Sequence, residues 1–268
     1  MRSASVRRLV VPAILVFVLL LALGLRVWGS AYGLPAYTRY HPDEHALVER
    51  AAKILWTGDW NLERFNYPPA YAYLQATGYA LYFLYGVTRD MWQYLPEFVL
   101  PNYYQVGRLL TAVFGTLTVL IVYLIGRQLR NRRAGLLAAA LLGGNYLHII
   151  HSHYATFDVM VGFWAALTLL FSELLGESTK AKWYFWAGLS AGLAGATKYN
   201  GAVAIVLPIL AHILSTKWGE WGWLNGPLLV SLGAFLLGFF GGNPFAIGNL
   251  TDFLNGLATV LHLSLIHI

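Results

Sequence analysis

Long apolar stretches separated by short polar segments dominate the pattern of this chain. The first apolar run extends from Leu9 to about Trp28 and follows Arg7 and Arg8. About 20 apolar residues suffice to cross the hydrocarbon core of a bilayer. No small-residue cleavage site clearly follows this run, which argues against a signal peptide. The pattern therefore predicts a first transmembrane helix with the basic N-terminus inside.

Six further apolar runs follow a long mixed segment. Their approximate bounds are 104–126, 134–147, 159–175, 184–196, 202–214 and 224–242. Basic residues mark alternate connections as inside, with four arginines between residues 127 and 133 and lysines after the fourth and sixth runs. The segment from Asn243 to the end is then outside. No barrel-like alternation occurs, so the spans are predicted to be helices.

The mixed segment, residues 29–103, differs from the rest of the chain. Aromatic-rich stretches at 46–56 and 70–85 predict two helices that lie in the membrane interface. A connection of this size is seldom passive. The expected fold class is an all-α, polytopic membrane protein of about seven transmembrane helices. Its interfacial helices lie in a large first external loop, and residues 1–268 form a single domain.

Composition narrows the class of function. The chain is 58% apolar and only 11% charged, and its mean hydropathy of +0.56 is that of a membrane protein. It has no cysteine, which excludes disulfides, thiolate nucleophiles and cysteine-bound metals. The net charge of +6 comes from basic residues in short loops, a topology signal that does not suggest nucleic acid.

The densest group of ionisable residues comes just after the first span, in the sequence Tyr40-His41-Pro42-Asp43-Glu44-His45. Asp43 and Glu44 would sit just outside the bilayer. A carboxylate there can act as general base and take a proton from an attacking hydroxyl. The same residues are also a good helix start, with proline first and acids in the first turn. The two interpretations are compatible.

A second group of polar residues lies where the fourth span begins. Asp158 is either a helix N-cap or a functional residue. The nearby histidines His148, His151 and His153 allow a metal site, but packing and hydrogen bonding in the aromatic belt are favoured over metal ligation. No metal ligand is therefore assigned.

The third group consists of residues that could hold a phosphate. Lys198 is the cation of the outside turn 197–201, and it could bind a lipid phosphate or simply reach to the surface. Arg64, Arg89 and Arg108 are alternative phosphate ligands. Tyr67-Pro68-Pro69 is predicted to be a turn before the second interfacial helix.

Three of these stretches together carry a resemblance to a known superfamily. They are Tyr40–Glu44 with Thr57–Asn61 and the Tyr-Pro-Pro sequence downstream, His151–Tyr154 with Asp158, and Gly192–Gly201 followed by Pro208. In order and spacing, they resemble the C-type glycosyltransferases. The similarity is greatest to the branch of protein O-mannosyltransferases and lipid A aminoarabinose transferases.

This resemblance implies an activity and roles for the residues. Members transfer a sugar from a polyprenyl-phosphate donor to an acceptor hydroxyl on the external face of the membrane, with inversion. Asp43 matches the proposed base, with Glu44 beside it. Asp158 matches a second acidic residue near the site, and Lys198 a phosphate contact. His153, Tyr67 and Arg64 complete the expected substrate-binding set. Some members bind a divalent cation, so a divalent cation is an open cofactor. The expected location is the plasma membrane.

Two other functions stay open, and the chain differs from family members in its length. A transporter or flippase of a lipid-linked or small polar substrate would show polar residues within its spans, whereas here the span centres are nearly free of charge. A non-catalytic scaffold predicts that Asp43→Asn has no effect. Family members are usually longer, so the chain is expected to be an N-terminal fragment.

Overall fold

The computed structural model of the chain describes residues 2–36, 41–63, 65–178, 180–215 and 226–266. These residues form helices joined by turns and irregular segments, and they contain no strand. Tyr40, Arg64 and Lys217 lie outside the described residues. The α-helices are α1 Arg2–Trp28, α2 Pro42–Thr57, α3 Ala70–Val87, α4 Leu100–Leu129, α5 Arg132–Gly143, α6 Tyr146–His151, α7 Asp158–Glu177, α8 Ala181–Thr197, α9 Val206–Ser215, α10 Gly226–Gly241, α11 Phe245–Gly248 and α12 Leu250–Ile266. Short 3₁₀ helices occupy Leu95–Glu97 and Tyr199–Ile205.

Local sequence signals explain where several helices begin. Pro42 is the first residue of α2, and Asp43 and Glu44 lie in its first turn, as the sequence predicted. The side chain of Asn131 accepts hydrogen bonds from the amides of Arg133 and Ala134 and so caps α5.

The described chain divides into two compact units. The first unit comprises Met1–Val48 and Leu81–Ala166, and the second comprises Glu49–Ala80 and Leu167–Ile268. The prediction of a single domain over residues 1–268 stays a prediction.

In the first unit, α1, α4 and α5 pack against one another around small residues. The core of this packing is formed by Ala22, Val119, Tyr123 and Ala139. A Cβ atom at Gly135 would lie 2.5 Å from the carbonyl oxygen of Tyr123, so glycine is what allows α5 to approach α4 this closely.

In the second unit, α8 and α10 form the most extensive helix pair. A Cβ atom at Gly188 would lie 2.0 Å from the carbonyl oxygen of Ser231, and one at Gly192 would lie 2.2 Å from that of Phe235. Small residues let helix backbones approach closely within a membrane. This unit also contains an aromatic core formed by Phe65, Tyr199, Phe239, Phe240, Phe245 and Phe253.

The candidate membrane spans can be compared with the predicted seven. Within the described residues, three helices are long and apolar enough to cross a membrane, namely Val10–Trp28, Leu100–Leu129 and Asp158–Glu177. Shorter apolar helices occupy Tyr199–Ser215 and Gly226–Gly241. The predicted count of seven spans therefore stays a prediction.

The structure agrees with most predicted helices and differs in three places. The predicted third span ends at Gly143, because Asn145 caps the new helix α6 through the amide of His148. The predicted sixth span starts as a 3₁₀ helix before α9. The segment after Asn243 forms the helix α12, which the sequence pattern did not predict.

Candidate active site

The two predicted catalytic carboxylates stand side by side in the first turn of α2 but have different surroundings. The Asp43 side chain is partly exposed, whereas Glu44 is fully buried. Successive residues of a helix point about 100° apart, which explains how one carboxylate faces outward while the next enters the protein.

Glu44 holds three parts of the first unit together. Its Oε1 accepts from Nε of Arg108 at 2.7 Å, and its Oε2 accepts from Nη2 of Arg108 at 2.9 Å. Oε1 also accepts from the backbone amide of Ala155 at 2.7 Å. A buried carboxylate is stable only when it is paired and hydrogen-bonded in this way. The carboxylate thus links the start of α2 to α4 and to the turn before α7.

Arg108 extends this network to the segment that follows α1. Its Nη1 donates to the carbonyl oxygens of Ser30 and Tyr32, at 3.0 and 2.8 Å. Its guanidinium carbon also lies 5.6 Å from the ring centre of Tyr104, whose hydroxyl is 2.8 Å from Nδ1 of His45. Arg108 is therefore fully engaged with protein groups, which argues against its predicted alternative role as a phosphate ligand.

The engagement of Glu44 fixes the position of its neighbour. Asp43 lies one residue before a carboxylate that is tied to two other segments, so its backbone has little freedom. The amide of Asp43 donates to Nδ1 of His41 at 3.2 Å, and the ring of His41 lies 5.1 Å from that of Tyr154. Within the described residues, no side-chain partner of the Asp43 carboxylate is seen. A rigid, partly exposed carboxylate of this kind can accept a proton.

Asp158 and His153 lie in the same unit. Asp158 is the first residue of α7 and is partly exposed. It follows Ala155 by three residues, and Ala155 is held by Glu44. The Glu44 network thus positions both the Asp43 and Asp158 backbones. Nε2 of His153 lies 3.0 Å from the carbonyl oxygen of Leu25, so this ring nitrogen is engaged with the end of α1.

His148, one of the histidines considered for a metal site, is paired with an arginine. Nδ1 of His148 lies 2.8 Å from Nη2 of Arg26, so a cation already occupies that face of the ring. Throughout the described ranges, no group of three or more histidine, aspartate or glutamate side chains could hold a metal ion. The divalent cation that some family members bind thus has no three-residue ligand set in this part of the chain.

Lys198 and Tyr67, two of the predicted substrate-binding residues, lie in the second unit. Lys198 ends α8 and is partly buried, with its amide bound to the carbonyl oxygen of Ala194 at 3.0 Å. The next residue, Tyr199, donates its hydroxyl to the carbonyl oxygen of Phe65 at 2.7 Å. This bond ties the end of α8 to the segment that contains Tyr67.

Arg50 belongs to this second group and was not predicted from the sequence. Its Nη1 donates to the carbonyl oxygen of Tyr67 at 2.7 Å. Burial lowers the pKa of Arg50 below its usual value, while the neighbouring Tyr199, Tyr73 and Tyr67 act in the opposite direction. Burial also raises the pKa of Tyr73 to about 12, so Tyr73 keeps its proton at neutral pH. The one feature of the sequence that could have pointed to Arg50 was its position on α2, an interfacial helix of mixed polar and apolar composition.

The remaining candidate, Arg89, is exposed, and its guanidinium carbon lies 5.5 Å from the ring centre of Tyr85. A cation over an exposed aromatic ring is a common surface arrangement. Of the predicted residues, the first unit thus contains Asp43, Glu44, Asp158 and His153, and the second contains Lys198 and Tyr67.

Comparison with known proteins identifies one family. The family described as dolichyl-phosphate-mannose-protein mannosyltransferase matches residues 98–240, more than half of the chain. This range contains Arg108, Asp158 and Lys198.

Two curated relatives are named as sugar transferases. A protein of Pseudomonas fluorescens named undecaprenyl phosphate-alpha-4-amino-4-deoxy-L-arabinose arabinosyl transferase 2 is 28% identical over 211 residues, which is 74% of this chain and 33% of that protein. The enzyme with the corresponding name from Pseudomonas aeruginosa is 30% identical over 190 residues, 66% of this chain and 31% of that protein. The chain spans about a third of the length of these relatives.

Among solved structures, the archaeal oligosaccharyltransferase AglB of Archaeoglobus fulgidus, in complex with an inhibitory peptide and a dolichol-phosphate, has a similar fold. The TM-score is 0.55 at 17% identity, and the match covers 96% of this chain and 38% of that one. The likeness shows that the two chains share a fold over this region. It gives the transporter interpretation no support.

Proposed function

Because the chain belongs to the dolichyl-phosphate-mannose-protein mannosyltransferase family, we propose that it transfers a sugar from a polyprenyl-phosphate donor to an acceptor hydroxyl. The names of its relatives support this class of donor, since the enzymes of both Pseudomonas species are named for undecaprenyl phosphate-linked aminoarabinose. The acceptor is a hydroxyl of a protein, a lipid or a glycan.

The proposed reaction is a direct displacement with inversion at the anomeric carbon. The acceptor oxygen forms a bond to the anomeric carbon as the bond from that carbon to the phosphate oxygen breaks. The acceptor proton passes to Asp43, and the lipid phosphate leaves with the bonding electron pair. Inverting glycosidases use the same logic, with a carboxylate base on the face opposite the leaving group.

One observation carries the choice of Asp43 over Glu44 as the base. Both oxygens of Glu44 are bound by Arg108 and one also by Ala155, whereas the Asp43 side chain is partly exposed. A base must come within hydrogen-bond reach of the proton it abstracts. We therefore assign Asp43 the proton transfer and Glu44 the positioning of Asp43. The catalytic role predicted for Glu44 itself stays a prediction.

The other predicted residues keep substrate-binding roles in this proposal. Lys198 offers a cation for the charge that develops on the leaving phosphate, and Arg64 is a second candidate outside the described residues. Asp158 and His153 would contact the sugar or the acceptor. The basic N-terminus before the first span is expected on the inside of the plasma membrane. The segment after that span, which contains Asp43, would then lie on the external side.

A transfer assay tests the proposal. Membranes that contain the protein would receive a panel of radiolabelled polyprenyl-phosphate sugars, with wild type compared with Asp43→Asn. Loss of a general base costs at least about 100-fold in rate. Asp90→Asn is the matched control, because Asp90 is an exposed carboxylate of the same unit. Full activity of Asp43→Asn would remove Asp43 from the chemistry.

A further inference from the structure

A groove between α7 and α9 lies in the second unit, and none of the candidate site residues lines it. Its cavity volume is about 380 Å³, which is within the range of pockets that hold small ligands. On α7 the wall is formed by Leu169, Ser172, Glu173 and Gly176, and on α9 by five residues at similar spacing between Leu207 and Ser215. Residues at this spacing share one face of a helix, so each helix turns one face toward the groove.

The polar side chains of the groove are all hydrogen-bond acceptors. Glu173 is partly buried, and among the described residues no hydrogen-bond or ion-pair partner of its carboxylate is seen. Oγ of Ser172 donates to the carbonyl oxygen of Thr168 at 2.7 Å, and Oγ of Ser215 donates to that of His212 at 3.1 Å. Each hydroxyl has one proton to donate, so both offer only lone pairs to a ligand.

The other lining residues are leucine, alanine and glycine. The groove therefore presents one negative charge and, among its lining side chains, no cation and no available donor. A carboxylate in apolar surroundings is stable when a cation pairs with it. The ligand that matches this lining carries a positive charge with several N–H donors and an apolar part.

Aromatic rings indicate the depth at which Glu173 lies in the membrane. The ring centre of Phe171 lies 6.1 Å from that of Trp183 and 6.3 Å from that of Trp186. Nζ of Lys182 lies 4.4 Å from the ring centre of Trp183. Tryptophan is enriched at the membrane interface, and lysine near helix ends extends its charge to the headgroups. Glu173, two residues after Phe171, is thus at the depth of the lipid headgroups.

The apolar part of the groove continues away from this depth. Leu169 lies one turn before Glu173 on α7, which is one of the helices long and apolar enough to cross a membrane. On α9, Leu210 is 48% exposed and Leu214 is 84% exposed. Leucines that stay exposed on an apolar helix suit contact with hydrocarbon chains. A carboxylate at headgroup depth is thus followed by leucines that can line a lipid chain.

We propose that this groove binds a phospholipid with a primary ammonium headgroup, phosphatidylethanolamine. The ammonium donates to the carboxylate of Glu173 and to the free lone pairs of Ser172 and Ser215, and one acyl chain packs along Leu169 and Leu207. The volume holds a headgroup and part of one chain, and the rest of the lipid stays in the bilayer. This site is independent of the proposed sugar transfer.

Native mass spectrometry of the whole chain, delipidated in detergent, tests the site. The protein would be titrated with palmitoyl-oleoyl phosphatidylethanolamine, with the phosphatidylcholine of the same chains, which keeps the cation but has no N–H donor, and with the phosphatidylglycerol, which has no cation. The first phosphatidylethanolamine should bind about 10-fold more tightly than either, as expected for a charge-assisted hydrogen bond. Equal binding of the three lipids by the wild type would overturn the proposal.

The charge of Glu173 is tested by its own replacement. Glu173→Gln should remove the preference for phosphatidylethanolamine. It should fold normally, because no described residue loses a partner. Glu177→Gln is the matched control, since Glu177 is an exposed carboxylate of the same helix outside the groove, and it should keep the preference. Glu173→Asp keeps the charge and should retain part of it. A preference equal to wild type in Glu173→Gln would overturn the assignment.

A second variant tests the groove while leaving the charge in place. No atom lies within 4 Å of a Cβ atom added at Gly176, so Gly176→Leu should fold, as an unchanged melting temperature would confirm. Its side chain shares the helix face of Glu173 and should fill part of the groove, which would weaken phosphatidylethanolamine binding several-fold. Binding equal to wild type in the folded variant would show that the lipid binds elsewhere and would overturn the site.

The same spectra test whether protein, instead of lipid, covers the groove. A dimer of the wild type that is lost in Gly176→Leu would assign the groove to a second copy of the chain and would overturn the lipid site. A bound lipid should also raise the melting temperature of the wild type, more for phosphatidylethanolamine than for phosphatidylcholine, and the difference should vanish in Glu173→Gln. Asp43→Asn should bind phosphatidylethanolamine as the wild type does, whether or not sugar transfer is observed.

Discussion

Arg108 and Glu44 form a buried, bidentate ion pair, with Nε of Arg108 2.7 Å from Oε1 of Glu44 and Nη2 2.9 Å from Oε2. The pair joins residues that are 64 positions apart in the chain. Arg108 also binds two carbonyl oxygens after α1, and Glu44 binds the amide of Ala155. The start of α2 is thus held by charge and hydrogen bonds from three directions.

Replacing Glu44 by glutamine should destabilise the protein strongly. The variant leaves the buried guanidinium of Arg108 without its counter-charge, and breaking a buried pair from one side costs about 3–5 kcal/mol. The measurement is the thermal melting temperature in detergent, followed by tryptophan fluorescence. Glu177→Gln, an exposed carboxylate at the end of α7, is the control. A melting temperature equal to that of the wild type would show that the pair contributes little.

The sequence predicted the start of α2 and the bounds of α3 and α4 well, because these depend on local signals such as proline, first-turn acids and apolar periodicity. It could not predict that Glu44 pairs with Arg108, since a local sequence pattern carries no information about contacts between positions so far apart. It missed α12, because the choice between helix and extended loop there depends on what the segment packs against. The break after Gly143 did have a local signal, the Asn145 side chain that caps α6, but the apolar residues on both sides obscured it.

A methyl group on Gly188 should separate α8 from α10. The Cβ atom of alanine would lie 2.0 Å from the carbonyl oxygen of Ser231, which cannot move without shifting the α10 backbone. Overpacking of this kind costs about 1–3 kcal/mol. Gly233→Ala on α10 is the control, because no atom lies within 4 Å of its added carbon. It should stabilise slightly through helix propensity. Equal melting temperatures for the two variants would contradict this prediction.

Removing the hydroxyl of Tyr199 should loosen the segment before α3. Tyr199→Phe keeps the ring in its aromatic core but leaves the carbonyl oxygen of Phe65 without this donor, at a cost of about 1–2 kcal/mol. Limited proteolysis should then cut faster between residues 58 and 69. Tyr146→Phe, on an exposed side chain, should leave the cleavage pattern as in the wild type, and unchanged cleavage of Tyr199→Phe would count against the bond.

His148 should make stability depend on pH in the acid range. It lies in α6, outside the predicted spans, and its pKa falls from 6.5 to about 4 through burial first and then through the charges of Arg26 and His151. The neutral ring can accept a hydrogen bond from Nη2 of Arg26 at 2.8 Å. Protonation would turn this contact into a repulsion between two cations.

The sign of the effect follows from which state binds the proton. Above about pH 6.5 the ring is neutral both folded and unfolded and contributes no pH dependence. Between about pH 6.5 and 4 only the unfolded chain binds the proton, so the free energy of unfolding falls as the pH falls, by at most about 1.4 kcal/mol per pH unit. Partial exposure of the ring reduces this slope.

Melting temperatures measured from pH 7.5 to 4 would check the prediction. His148→Gln cannot titrate, yet its side-chain oxygen can still accept from Arg26, so its melting temperature should fall less steeply below pH 6.5 than that of the wild type. His262→Gln removes an exposed histidine and should follow the wild-type curve. Because other acids and histidines titrate in all three proteins, only the difference between curves reports on His148. Parallel curves for His148→Gln and wild type would show that the ring protonates freely in the folded protein.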